Sequence, residues 1–370
     1  MRRVVGVVVN PFAGAGGRLG WKGTDWPLPV EVARRRLPLV APGRAARFAR
    51  ALASRMPGVV VAAPPGPMGW GSLGDPGVER VVVDCVDPGK WPTEPRDTVE
   101  CMRRLSGIVD LLVFVGGDGT ARLAVEAVGE AVVSLGVPAG VKVYSAVFAY
   151  TPEEAAGLAA LYLEGRARVE RREVLDVDEE EFRNGRLVVR LYGYLRVPVG
   201  PGIVAGGKQA VAGQEAEAEE IAEYFAEELY RECHLYILGP GSTVEAIARR
   251  LGVEKTPLGV DLLHNGRIIA RDADAETVYR LAREYYPRVY LVVSPIGGQG
   301  ILLGRGNQQV GPETLRLLGR DHIIVVATPS KLRTVRVLRV DTGDPAVDEM
   351  LRGYIRVLTG YARYRLVRIV

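Results

Sequence analysis

The chain has 370 residues with a formal net charge of +4, 48% hydrophobic and 25% charged, the composition of an ordinary globular protein rather than a disordered or fibrous one. At about 150 residues per domain its length predicts two lobes with a cleft between them. The small positive balance, without a long basic run, argues against nucleic acid as the main partner and suits a polyanionic small molecule. No run approaches the roughly 20 apolar residues of a membrane span, so a cytoplasmic location is expected. Cys85, Cys101 and Cys233 are far apart and in no CxxC spacing, which predicts core filling rather than a disulfide framework or a zinc site. With only His234, His264 and His322, a multi-histidine metal site or a Ser/His/Asp hydrolase would have to be assembled from few parts. Arg far outnumbers Lys and Pro is frequent, a balance compatible with a thermophile.

In chain order, the β-branched run Val4–Val9 predicts a buried parallel strand. It runs into a loop over residues 10–26, NPFAGAGGRLGWKGTDW, with five glycines. Helical patterns follow at 31–36, 45–54 and 98–104 and strand patterns at 58–63 and 80–83, the alternation of a doubly wound parallel sheet. Residues 64–77 read as an exposed Pro/Gly connection. The apolar run 108–115 ends directly in Gly116-Gly117-Asp118-Gly119-Thr120, ahead of a helical segment at 121–128. A second, mixed α/β lobe is expected from residue 151, after an N-terminal lobe over 1–150. It opens with a helix to 163 and strands near 171–178 and 187–197 joined at Asn184-Gly185. Residues 214–228 form an acidic, solvated helix. Strands follow at 234–238, 289–293, 322–327 and 334–341, and residues 346–359 predict a helix. The last segment, 341–370, is expected to return to the N-terminal lobe.

The loop GGDGT occupies the place where open α/β sheets bind ligands, the carboxyl end of a buried strand. Gly116 and Gly117 let backbone amides approach phosphate oxygens, and the helix N-terminus after them favours anions. Asp118 beside phosphates is unfavourable unless it binds Mg²⁺ or takes a proton from an attacking hydroxyl, both standard in phosphoryl transfer. It is thus the candidate catalytic residue and a candidate metal neighbour; the plainer reading is a helix cap. Gly119 and Thr120 complete the turn.

Asn10, Gly14, Gly16 and Gly17 also follow a strand end, so the two glycine loops are expected to face each other over one sheet. Lys22 is a point charge for a phosphate or an ordinary surface lysine. Thr24 and Asp25 offer hydrogen bonds to a sugar or phosphate. Arg122 reaches phosphate or pairs with Glu126 at i+4. Gly241, Ser242 and Thr243, in the motif GPGST, repeat the strand, glycine and hydroxyl design of an anion nest, with an N-cap as the alternative. Gly298, Gln299, Gly300, Arg305, Asn307 and Gln308, in PIGGQG and GRGNQQ, are read as ligand contacts because so many glycines beside amides and a guanidinium add little to a core.

Together VNPFAGAGG, WKGTD, FVGGDGTAR and SPIGGQGILLGRGNQQ resemble the ATP-NAD kinase-like family, over most of the chain. The resemblance implies a nucleoside-triphosphate-dependent kinase that needs a divalent metal, with Asp118 at the acid/base position, ATP and Mg²⁺ as cofactors, NAD as the leading acceptor and a homo-oligomeric state. The Asn-Glu pair by which typical members hold the adenosine ribose is not found, since Asn184 precedes Gly185 and Asn265 precedes Gly266. The alternatives are a kinase of another small polyol or a lipid, and a non-catalytic NAD or ATP sensor.

Overall fold

In the computed structural model, which describes residues 3–19, 30–32, 38–140, 143–177, 189–200, 214–296 and 300–370, the chain forms two compact units. One comprises Met1–Gly16 and Lys22–Gly207, the other Gly17–Trp21 and Lys208–Val370.

The first unit is built around β1 (Val4–Val9), a strand with five of its six residues buried. A run apolar on both faces needs cover on both faces, which helices on either side of a parallel sheet supply. α1 (Ala41–Arg55) packs Phe48 and Leu52 into that core, and β2 (Val60–Ala63) and β3 (Glu79–Val82) follow. α2 (Pro95–Ser106) starts at a Pro, behind a reciprocal capping box in which the Asp97 carboxylate accepts the Glu94 amide at 2.8 Å. β4 (Leu111–Gly116), α3 (Asp118–Val128), β5 (Ser134–Pro138) and α4 (Pro152–Leu163) complete the doubly wound part. The sheet order is β3-β2-β1-β4-β5, all parallel. Strand order therefore reverses between β1 and β4, whose carboxyl ends carry the two glycine loops.

An antiparallel ribbon, β6 (Arg168–Val177) and β7 (Val189–Val199), belongs to this unit and not to a second lobe beginning at 151. Its Val174, Leu195 and Val197 share one core with Ala121 and Ala124 of α3. Gly193 lies so close to α3 that a Cβ there would stand 2.6 Å from a Val125 methyl. A β-bulge between Val174 and Leu175 leaves Tyr192 as the extra residue. The turn expected at Asn184-Gly185 lies outside the described residues.

Two other expectations are corrected here. Residues 64–77 are not simply an exposed connection: Met68 and Leu73 are buried, and Trp70–Leu73 makes one helical turn. Cys85 and Cys101 do not merely fill core; they form a disulfide with 5.1 Å between Cα atoms, leaving Cys233 free and exposed.

The second unit runs α5 (Gln214–Tyr224), β8 (Leu235–Leu238), α6 (Ser242–Arg250), β9 (Asp261–His264), β10 (Arg267–Ala270), α7 (Ala275–Tyr285), β11 (Val289–Val293), β12 (Ile301–Leu303), α8 (Pro312–Leu318), β13 (Ile323–Val326), α9 (Pro329–Thr334), β14 (Arg339–Val340), α10 (Pro345–Leu351), β15 (Gly353–Gly360) and β16 (Arg363–Ile369). Its main sheet has the order β10-β9-β8-β11-β13-β15-β16, parallel at its centre and antiparallel at both edges.

The helix predicted over 346–359 stops at Leu351, and the rest is β15, in which Ile355, Val357 and Leu358 are buried. The C-terminal segment thus completes the second unit's own sheet instead of returning to the first, because β16 pairs with β15 along most of its length. Of the strand predicted over 334–341 only Arg339–Val340 is strand, with Leu338 bridging Ile369; Thr334 still belongs to α9, which Thr328 caps and Pro329 starts. Among the described residues no helix is long and apolar enough to cross a membrane.

The disulfide has a direct test. Thiol titration of the native, unreduced protein should find one reactive cysteine, and full reduction in denaturant should reveal three; three reactive thiols before reduction would show the pair to be open.

Candidate active site

Asp118 opens α3 and is 5% exposed. One carboxylate oxygen accepts the Tyr144 amide at 2.7 Å and the other the Ser145 amide at 3.0 Å. Burial pushes its pKa up to about 7, against hydrogen bonds from Ser145 and the Tyr144 amide, and the charge of Asp176 adds to the rise. The same burial raises the Tyr144 phenol to about 12. A carboxylate near neutrality at a helix N-terminus can hold a proton or release it at working pH, which a general base requires. The cap reading of Asp118 does not hold, because Gly117 is the N-cap and no side chain caps the helix.

The two glycine loops meet as expected in their described parts. The Asn10 amide group donates to the Thr120 hydroxyl at 3.1 Å, its carbonyl accepts the Phe12 amide, and its backbone amide bonds to Val115. Asn10 and Thr120 are therefore the cross-link that sets one loop against the other. The Gly116 carbonyl accepts the amides of Ala139 and Gly140. Gly14 adopts φ +78° with the Ala139 carbonyl against it, so a Cβ there would stand 2.1 Å from that oxygen. Gly16 lies in the same turn, and Gly17 starts a short 3-10 turn to Leu19. Gly119 faces open space and is exposed, so packing does not demand a glycine there, while a ligand approaching the first helical turn would. Lys22, Thr24 and Asp25 lie outside the described residues.

Arg122 does not pair with Glu126. Its guanidinium bonds to Asp176 of β6 at 3.1 Å and lies over the Tyr192 ring, 4.2 Å from the centroid, while Glu126 faces Arg103. The β-bulge places Tyr192 there. Arg122 thus stands one turn beyond Asp118, held from two sides.

In the second unit Gly241, at φ +122°, is itself the N-cap of α6, so neither Ser242, which is exposed, nor Thr243, which is buried, caps that helix. Beside Gly241, at the end of β11, lies Ser294, 1% exposed, whose hydroxyl accepts the Lys331 ammonium at 3.2 Å. The sequence reading did not single out Ser294 or Lys331; the signal was Thr-Pro-Ser-Lys directly after an apolar strand.

Asn307, expected as a ligand contact, bonds within its own loop. Its carbonyl accepts the Gly304 amide at 2.9 Å and its amide group donates to Leu302 at 2.8 Å, a staple within the loop. Gly304, at φ +110°, presses against the Asp341 carbonyl, 2.0 Å from where a Cβ would be. Gly300 is likewise packed against the Val337 carbonyl. These glycines do serve packing, against the reading that they add little to a core. Arg305 is 4% exposed, and one oxygen of Gln308 is buried with no partner among the described residues. Gly298 and Gln299 lie outside the described residues.

Two substitutions separate loop function from loop structure. Gly14→Ala should cost roughly 1–3 kcal/mol through strain at a left-handed residue and lower turnover, read by thermal unfolding and kinetic assay. Asn307→Ala should cost about 1–3 kcal/mol, for the buried Gly304 amide and Leu302 carbonyl left unpaired, yet leave the KM for nucleotide unchanged; a raised KM would restore Asn307 as a ligand contact.

Comparison with known families agrees with this geometry. Residues 71–167 match the ATP-NAD kinase N-terminal domain and residues 232–369 the ATP-NAD kinase C-terminal domain, together more than half of the chain. No curated protein matches the chain, and no solved structure does. The two matched domains follow one another in the order of the two compact units, and the chain belongs to the NAD kinase-like family, phosphotransferases with a hydroxyl group as acceptor.

Proposed function

We propose that the protein transfers the γ-phosphoryl group of ATP to a hydroxyl of a nucleotide acceptor, most directly the 2′-hydroxyl of NAD to give NADP. The observation that carries this reading is the buried Asp118 carboxylate at the reversal of strand order, raised to about 7 beside a glycine loop and a helix N-terminus. In the proposed step the acceptor oxygen attacks the γ-phosphorus, its proton passes to Asp118, the bond to the bridging oxygen breaks and ADP leaves. The amides of the first turn of α3, which have no partner inside the helix, and the loop around Gly14 and Gly16 hold phosphate oxygens. Arg122 adds positive charge one turn along. In the second unit, Gly241, Ser242, Thr243 and Lys331 make a second anion cradle.

Mg²⁺ supplies neutralisation of the developing phosphate charge. Among the described residues no three His, Cys, Asp or Glu side chains gather to cage an ion. Both Asp118 oxygens already accept amides, so the residues present fit an ion carried in on the nucleotide phosphates.

The base works only when ionised, so turnover with NAD should fall as pH drops through about 7 and level off above it, seen in the pH profile of kcat. The sign for stability is the opposite. A carboxyl raised from 3.8 to about 7 binds its proton more tightly folded than unfolded. Its contribution is fully present below 3.8 and is lost as pH rises through about 7, on the order of a few kcal/mol. Asp118→Asn should abolish turnover while ATP binding stays within about tenfold, roughly 1.4 kcal/mol. The decisive assay supplies ATP and Mg²⁺ with NAD, NADH, sugars, inositols, diacylglycerol and sphingosine and identifies the product by mass. NADP supports the reading, another phosphorylated product replaces the acceptor, and binding without any product points to a sensor.

A further inference from the structure

The Asp118 carboxylate accepts two backbone amides, from Tyr144 and Ser145, with the Ser145 hydroxyl beside it. Those amides belong to a short loop after β5 that is in no helix or strand. Something must hold the loop, because a backbone donor orients an acceptor no better than its own position is defined.

The Ser145 side chain is completely buried. Its hydroxyl donates to the Leu175 carbonyl at 2.8 Å and accepts the Leu175 amide at 2.9 Å, so one side chain uses both of its hydrogen-bonding roles on a single residue of β6. The neighbouring Ala146 amide donates to the Glu173 carbonyl at 3.1 Å. Leu175 sits at the bulge of the ribbon, and the next residue, Asp176, is the one that holds Arg122. A single stretch of β6 thus carries the attachment of the Asp118 loop on one residue and of Arg122 on the next.

We infer that Ser145 is a positioning residue for the phosphoryl-transfer step: its hydroxyl docks the Tyr144–Ser145 amides on β6 and so aims the Asp118 carboxylate at the acceptor hydroxyl. The inference rests on Asp118 being the base. A serine hydroxyl meets the geometry because it both donates and accepts, with free rotation of its hydrogen, in a small volume. Alanine leaves the Leu175 amide and carbonyl without this partner and the loop attached to β6 through the Ala146 amide. Cysteine keeps the shape with a weak donor and a weak acceptor.

The test compares Ser145→Ala and Ser145→Cys with the wild type and with Asp118→Asn, using ATP, Mg²⁺ and the acceptor that the wild-type enzyme turns over. Ser145→Ala should lower kcat by about 10- to 100-fold, the effect of a displaced catalytic group. KM for both substrates should stay within about twofold, because neither phosphate cradle is touched. Ser145→Cys should fall between Ala and wild type. If the Ala variant does not fold, the Cys variant decides alone. Wild-type kcat in the variants, or a loss that appears in KM instead of kcat, overturns the inference. An active Asp118→Asn overturns the assignment of the base itself, whereas an inactive Asp118→Asn beside a fully active Ser145→Ala overturns only the role of Ser145.

Discussion

A carboxylate is held where a charge is expensive, and much of the first unit is arranged around that fact. Removing Asp118 from water favours its protonated form; the dipole of α3 and two amides favour the ionised one. These opposing effects leave the group near neutrality. The amides come from a loop after β5, the helix from the end of β4, and the facing loop from β1, so three adjacent strands of one parallel sheet supply the parts. The ribbon of β6 and β7 then fixes α3 from outside through Gly193, Tyr192 and Asp176.

Much of this was legible in the residues. The runs at Val4–Val9 and Leu111–Gly116 carry no polar side chain, a pattern that fits a buried parallel strand, and a strand running into GGDGT before a helix leaves little choice of place for Asp118. What the chain did not disclose were relations between distant residues. Nothing local tells that Tyr144 and Ser145 donate to a side chain 26 and 27 positions earlier, or that Arg122 turns to Asp176, 54 positions on, instead of Glu126. The pairing of Cys85 with Cys101 depends on where β3 leaves the sheet and which face α2 presents, and their spacing alone could not supply that.

In the second unit a local signal carries a packing explanation beside the functional one. Glycine beside amides around Gly300 to Gln308 suggested ligand recognition, yet Gly304 is needed because the Asp341 backbone passes against it, and Asn307 repairs the hydrogen bonding of that crowded loop. Close backbone packing and close ligand approach ask for the same residue type. The Asn265-Gly266 turn of β9 and β10, with both residues at positive φ, is a hairpin turn joining strands of only four residues each. In the C-terminal segment, helical composition at Pro345–Leu351 runs into a strand with no proline between them to mark the boundary.

The disulfide reaches further than its own neighbourhood. Phe12, in the first glycine loop, packs its ring on Trp91, 4.6 Å between centroids, and Trp91 lies inside the 16-residue span that Cys85 and Cys101 close. Closing such a span removes conformations from the unfolded chain and limits those open to the folded one. The wall behind the first glycine loop is therefore held covalently, whereas Asp118 is held by hydrogen bonds from amides. Electron supply and acidity thus act on different parts of the same unit: reduction loosens the support of the loop, and protonation changes the charge of the carboxylate.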